Sequence, residues 1–160
     1  MGSRRRQNKE SADKHYPLMK TPDILETIKN CDKFVPADTC HLYLWVTNNF
    51  LKDGLWVIEQ LGFRYITLLT WAKSRFGLGY YFRGQTEHVI FSIKGKLAPL
   101  AKIESTLIGG ERTQHSLKPS HIYKKIENVS HTPRLEMFAR THRIGWDVWD
   151  MNLDIPEFRE

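Results

Sequence analysis

The sequence predicts an α/β domain with a mostly parallel sheet, flanking helices and a projecting hairpin. Two compact apolar runs of strand length, "HLYLWVT" at 41–47 and "FRYITLLTWAK" at 63–73, bracket the helically spaced "NNFLKDGLWVIEQLG". A strand, a helix and a second strand in that order make a right-handed crossover with parallel strands. The chain has 160 residues, 41% of them hydrophobic and 12% aromatic. That length fits one domain of about 150 residues, and a core can form without metals or cross-links.

The elements follow in order. Residues 1–14 carry almost no apolar side chains and read as a mobile basic arm before a domain spanning 15–155, with 156–160 as a tail. "TPDILETIKNC" is a short helix, with Thr21 as N-cap, Pro22 at the first helical position and Asp23 favoured by the macrodipole. The next helix is expected to bury Leu51, Leu55 and Ile58, with Asn48 or Asn49 as cap and Gly62 as terminator. "SRFGLGYYFRGQTEHVIFSIKG" alternates glycines with aromatics and ends in a strand-like run, so it reads as the hairpin projecting from the sheet. Lys94–Gln114 has the profile of a long surface loop. "KPSHIYKKIENV" is a Pro-started helix with Ile122, Tyr123 and Ile126 inward, and "RLEMFAR" and "GWDVW" are expected to complete the sheet.

Composition removes several function classes. No apolar run reaches the about 18 residues of a membrane helix, and no apolar h-region follows the basic N-terminus, so a soluble, cytoplasmic protein is expected. Cys31 and Cys40 are the only cysteines, lack CxxC spacing and are expected to be reduced thiols. Neither HxH nor HExxH spacing occurs, which disfavours a bound metal, and Glu87 and His88 should face opposite sides of a strand. There is no GxSxG elbow, and "GLGYYFRG" has the wrong spacing and context for a dinucleotide loop. The net charge of +6 and pI near 9.4 permit phosphate binding through a salt-dependent Coulombic term; a solvated basic face explains the same charge.

Local residues suggest chemistry without fixing it. Glu136, Arg140 and His142 lie near the end of an apolar strand, where open α/β sheets bind ligands and an acid can accept ribose hydroxyls; ordinary surface ion pairs are the alternative. Tyr16, Trp71, Tyr80, Tyr81 and Phe82 could stack on bases, although Trp71 ends a strand and core packing is its default. Adjacent in an expected strand, Tyr80 and Tyr81 should place at least one ring outward.

Six blocks in unbroken order, "HYPLMKT", "LYLWVTNNFL", "LGFRYITLLTWAK", "GLGYYFRGQTEHVIFSIKGK", "HSLKPSHIYKKIE" and "RLEMFARTHRIGWDVW", resemble the N6-adenine methyltransferase family typified by the catalytic subunit of mRNA adenosine methyltransferase. That family includes phage and bacterial DNA-modifying members. The resemblance spans about residues 13–152 and implies a Rossmann-like fold, S-adenosylmethionine as cofactor, and DNA rather than RNA as substrate for so short a chain. It implies cofactor contacts at Lys118, Glu136, Arg140, His142 and Asn152, and a target-adenine side formed by Tyr16, Trp71 and Glu87. The 95–114 loop corresponds to the variable substrate loop. Asn152 departs from the family's glycine-asparagine pair, because Asp150-Met151-Asn152 stands there. A homo- or hetero-oligomer is compatible with the resemblance.

The family signature Asp-Pro-Pro-Trp, placed a short loop before "HYPLM", does not occur; "RRRQNKESADK" stands there instead. The lone pair of the adenine amine is delocalised into the ring, and in the family the Asp carboxylate and Pro carbonyl would accept its hydrogens and aim it at the sulfonium methyl group. No catalytic residue is therefore identified, and the N-terminal part of the fold is expected to be incomplete, leaving a sheet edge uncovered. A truncated, inactive product of an active methyltransferase is the first expectation. A non-catalytic nucleic-acid-binding or partner subunit and a rearranged protein with a substitute acid are the alternatives.

Overall fold

A computed structural model describes residues 19–77, 79–101, 104–109 and 119–150. Tyr16, Lys118, Asn152, the basic arm and the 156–160 tail lie outside the described residues. The chain forms α1 (Thr21–Asn30), β1 (Cys40–Thr47), a 3-10 turn (Asn48–Phe50), α2 (Leu51–Gln60) and β2 (Arg64–Ala72). It continues through β3 (Thr86–Lys94), β4 (Leu107–Ile108), α3 (Ser120–Val129), β5 (Leu135–Met137) and β6 (Asp147–Trp149).

The main sheet has the order β1-β3-β2-β4. β3 runs antiparallel to both neighbours, and β4 runs parallel to β2. The α/β class and the parallel sense of β1 and β2 agree with the sequence, whereas the expected mostly parallel sheet is a mixed one. The cause is β3, which folds back from β2 and inserts between the two crossover strands. The expected hairpin therefore exists as β2–β3, but only its connection projects. Tyr80 and Tyr81 sit in bends of that connection and not in a strand.

Each face of the sheet has its own core because side chains alternate along β1. Cys40, Leu42, Leu44 and Val46 face α2 and join Ile58, Phe63, Leu68 and Ile90. On the other face, Tyr43 and Trp45 pack with Leu69, Trp71, Val89, Ile108, Ile122 and Ile126. Helix α2 lies close enough to the sheet that a Cβ on Gly54 would stand 2.7 Å from Val46 Cγ1 and 2.8 Å from Ile90 Cδ1. Alongside it, α1 buries Leu25 and Ile28. The opposite face is covered by α3, which turns Ile122 and Ile126 inward as its spacing predicts.

Several local expectations are corrected. Lys20 is the N-cap of α1, and Thr21 instead donates to Asp53 Oδ1 at 3.0 Å, which ties α1 to α2. Asn48 opens a 3-10 turn and Phe50 is the N-cap of α2. The loop expected over 94–114 contains β4, whose Ile108 is 2% exposed beneath α3. Glu104, shortly before β4, accepts from Asn128 Nδ2 at 2.9 Å and Lys125 Nζ at 2.8 Å. Those two partners, Asn128 first, hold the Glu104 carboxyl below the usual carboxylate range. Finally, "RLEMFAR" and "GWDVW" do not extend the main sheet; β5 and β6 pair in parallel as a separate two-stranded sheet.

The C-terminal end of α3 is fastened to β1 by a partly buried polar chain. Ser130 Oγ lies 2.8 Å from both the Tyr43 hydroxyl and His41 Nδ1, while His41 Nε2 lies 3.1 Å from the Leu97 carbonyl. His41 Nε2–H can donate to that carbonyl, Ser130 to Nδ1 and Tyr43 to Ser130, so every polar atom is used. Burial pushes the Tyr43 phenol up, which keeps its proton in place as that donor. Cys31 and Cys40 are free thiols. Among the described residues no helix is long and apolar enough to cross a membrane, and no group of His, Cys, Asp and Glu is arranged to hold a metal.

Candidate functional site

Because β1, β2 and β4 share one direction, their carboxyl ends share one end of the sheet with the amino end of β3. Open α/β sheets bind ligands at that end, where loops leave the strands and backbone groups are unpaired. Glu87 is the register partner of Thr47 on β1 and Trp71 on β2, which puts its carboxylate between the two strand ends. Trp45 Nε1 donates to Glu87 Oε2 at 2.6 Å, and the Lys73 ammonium pairs with Oε1. The Trp45 and Trp71 rings meet edge to face at 5.9 Å, and Lys73 Nζ stands 5.6 Å from the Trp71 ring centre.

The structure thus brings Trp71 and Glu87 together as register partners, but in different positions. Trp71 is 3% exposed and belongs to the core, so it supports Trp45 and Lys73 from below. Glu87 is half-buried and its carboxylate is held at the rim. Trp45 and Lys73 were not foreseen. The available signal was the alternation in β1, where every second residue is an aromatic with a polar atom.

On the other face of the same sheet end, Asn48 Oδ1 lies 2.6 Å from His88 Nε2, and His88 Nδ1 lies 3.0 Å from Thr70 Oγ1. Asn48 Nδ2 donates to Thr86 Oγ1 at 3.1 Å. Glu87 and His88 do face opposite sides, and Asn48, expected as a helix cap, joins two strand ends instead.

The second group of candidates lies on β5 and the turn after it. Glu136 pairs with Val148 across the small parallel sheet, and its Oε1 accepts from the Tyr123 hydroxyl at 2.8 Å. The Tyr123 ring meets Trp146 edge to face at 5.6 Å and carries the Arg143 guanidinium at 3.8 Å. Trp146 Nε1 in turn donates to Glu127 Oε1 at 2.8 Å. Beyond Phe138, whose φ is 57°, the half-buried Arg140 and exposed His142 follow. Helix α3 links the two groups, since Ile122 packs in the core with Trp71 while the next residue, Tyr123, holds Glu136. An open acidic cleft lined by Asp23, Glu26 and Asp32 beside Trp149 contains none of these candidates.

A family model described as MT-A70 matches residues 4–152. A Type II methyltransferase M.MunI from Mycoplasma sp is 32% identical over 152 residues, 92% of this chain and 63% of that protein. A putative N(6)-adenosine-methyltransferase MT-A70-like protein from Medicago truncatula is 30% identical over 70% of this chain and 20% of its own length. The N(6)-adenosine-methyltransferase catalytic subunit METTL3 from Homo sapiens is 27% identical over 75% of this chain and 23% of its own length. The chain spans less than two thirds of each of these relatives.

Proposed function

The chain belongs to the MT-A70 family, and from that premise we propose that it serves S-adenosylmethionine-dependent methyl transfer to the N6 amine of adenine in nucleic acid, with DNA as the polymer. The observation that carries this reading is the Glu87 carboxylate, fixed by Trp45 and Lys73 at the ligand-binding end of the sheet. A carboxylate held there can accept a hydrogen from an adenine edge without moving, which is the preorganisation that orienting a weak nucleophile requires. The choice of DNA is supported by the broader cover of this chain in the match to the Mycoplasma type II enzyme, 92% against 75% for the human protein.

The donor set around β5 fits the cofactor. Glu136 is an acceptor suited to ribose hydroxyls, Tyr123 fixes its orientation, and Arg140 and His142 stand within the next turn of chain. Lys118 and Asn152 belong to the same assignment by resemblance. When bound, the cofactor supplies an electrophilic sulfonium methyl group. On this reading β5 holds the ribose while the β1–β3 rim holds the adenine.

Calorimetry with S-adenosylmethionine, beside transfer of labelled methyl groups to adenine-containing DNA and RNA, tests the proposal. Saturable cofactor binding is expected; because Asp-Pro-Pro-Trp does not occur in this sequence, transfer is expected to be slow, with the label it yields recovered as N6-methyladenine in DNA rather than RNA. Cofactor binding without transfer would remove the catalytic half of the reading. Nucleic-acid binding with no cofactor affinity would replace it with a partner-subunit role.

A further inference from the structure

The connection between β2 and β3 holds the most exposed rings in the described chain. Tyr80 is 94% exposed, Tyr81 93% and Phe82 91%, three consecutive side chains whose apolar surface nothing in the described fold covers. Such a cluster in water marks a contact surface.

The connection is built to hold those rings outward. At its base, Lys73 N–H donates to the Gln85 carbonyl at 2.8 Å and Gln85 Nε2 donates back to the Lys73 carbonyl at 2.9 Å. Farther out, Gly77 N–H donates to the Gly84 carbonyl at 2.7 Å. Arg83 Nε donates to the Gly77 carbonyl at 3.2 Å, with its guanidinium 5.6 Å from the Phe76 ring centre. Near the tip, a Cβ on Gly79 would stand 1.8 Å from the Phe82 carbonyl oxygen, so only glycine permits this return of the chain. The result is a narrow aromatic finger with a hydrogen-bonded neck.

Its charge selects the partner. Residues 73–85 contain no acid, and besides Lys73, which already pairs with Glu87, they carry the cations Arg75 and Arg83. Cations interleaved with exposed rings suit a polyanion that also offers flat π faces, which describes nucleic acid; a purely apolar protein patch would leave the cations unmatched. The finger also leaves β2 after Ala72 and rejoins β3 at Thr86, the register pair next to Trp71 and Glu87, so whatever it grips lies beside the Glu87 rim. We infer that Tyr80, Tyr81 and Phe82 stack on nucleic-acid bases next to the adenine presented to Glu87, with Arg75 and Arg83 on the flanking phosphates. This inference rests on the nucleic-acid reading above and adds the element that grips the strand.

The test is binding of a fluorescein-labelled, adenine-containing oligonucleotide by the full chain, in single-stranded and duplex form, without cofactor. Each stacked base lost to alanine weakens binding by about five- to a hundred-fold. The Tyr80→Ala/Tyr81→Ala variant is expected to bind at least about ten-fold more weakly, while Tyr80→Trp/Tyr81→Trp binds like the parent. Gly79→Ala, which keeps every ring but cannot keep the tip, should show a similar loss. Arg83→Gln should lower the slope of log affinity against log salt by about 0.7–0.9, the share of one phosphate contact.

Calorimetry of the same variants with S-adenosylmethionine should match the parent, which separates this inference from the cofactor assignment. Oligonucleotide affinity within two-fold of the parent in the double alanine variant would overturn it. A parent chain that binds no oligonucleotide would also overturn it. So would a double alanine variant that loses self-association in sedimentation while keeping oligonucleotide affinity, since the finger would then be a protein interface.

Discussion

Glu136→Ala is expected to weaken S-adenosylmethionine binding about a hundred-fold in calorimetry, a change of about 2.7 kcal/mol. A carboxylate that accepts from ribose hydroxyls makes charge-assisted hydrogen bonds, each contributing about 1.5–3 kcal/mol net. The substitution removes the acceptor outright and leaves the Tyr123 hydroxyl without the partner it holds at 2.8 Å. Tyr123→Phe keeps the carboxylate and loses only its anchor, so a smaller loss of about five-fold is expected, near 1 kcal/mol. The pair of variants separates binding from positioning. An alanine variant that bound cofactor as well as the parent would sink the site assignment.

Ile90→Ala should destabilise the fold by about 3 kcal/mol, within the about 2–5 kcal/mol range for such truncations, read as a lowered urea midpoint at an unchanged slope. Ile90 is 0% exposed at the centre of β3 and packs in the α2-side core with Val46, Ile58 and Phe63. It is also one of the atoms against which α2 lies, 2.8 Å from where a Cβ on Gly54 would be. The cavity left by three missing carbons can close only if α2 and the sheet move together, which their close approach resists. Since whole domains are stable by about 5–15 kcal/mol, this one truncation removes a large share. Ile90→Val, which removes one methyl group, should cost about 1 kcal/mol. A loss below about 1 kcal/mol for alanine would mean that β3 is not the centre of the core.

The parts of the fold legible in the sequence are those written in the spacing of apolar side chains. Strands β1 and β2 could be read as compact apolar runs because both of their faces are covered, and helix α2 and the inward face of α3 because each buries one face and spaces its apolar residues accordingly. Strand direction carries no such record. β3 has the same apolar run whether it projects or inserts, and only its pairing with both β1 and β2 decides the matter. With two residues, β4 shows no period at all, and it is a strand because Ile108 fits beneath α3 beside Trp71.

The candidate site divides in the same way. Local chemistry left Glu136 as a surface charge, and only the order of six sequence blocks made it a proposed cofactor contact. Its contact with Tyr123 comes from α3 crossing to β5, a tertiary event. Trp45 and Lys73 escaped notice because each lies in a run that strand packing alone explains, while their common partner Glu87 is reached only through the antiparallel register.

The insertion of β3 also sets the time scales on which the molecule moves. A strand paired on both sides exchanges its amide hydrogens with solvent only when the sheet comes apart, so Val89 to Ser92 should report the slowest opening among the described residues. The finger tip lies seven residues upstream of Val89 in open water, where amides exchange on the fast side of the same scale. Between Phe82 and Val89 protection should therefore rise more steeply than anywhere else among the described residues. The rings proposed to stack on a nucleic-acid strand are thereby moored to the part of the described fold that yields last.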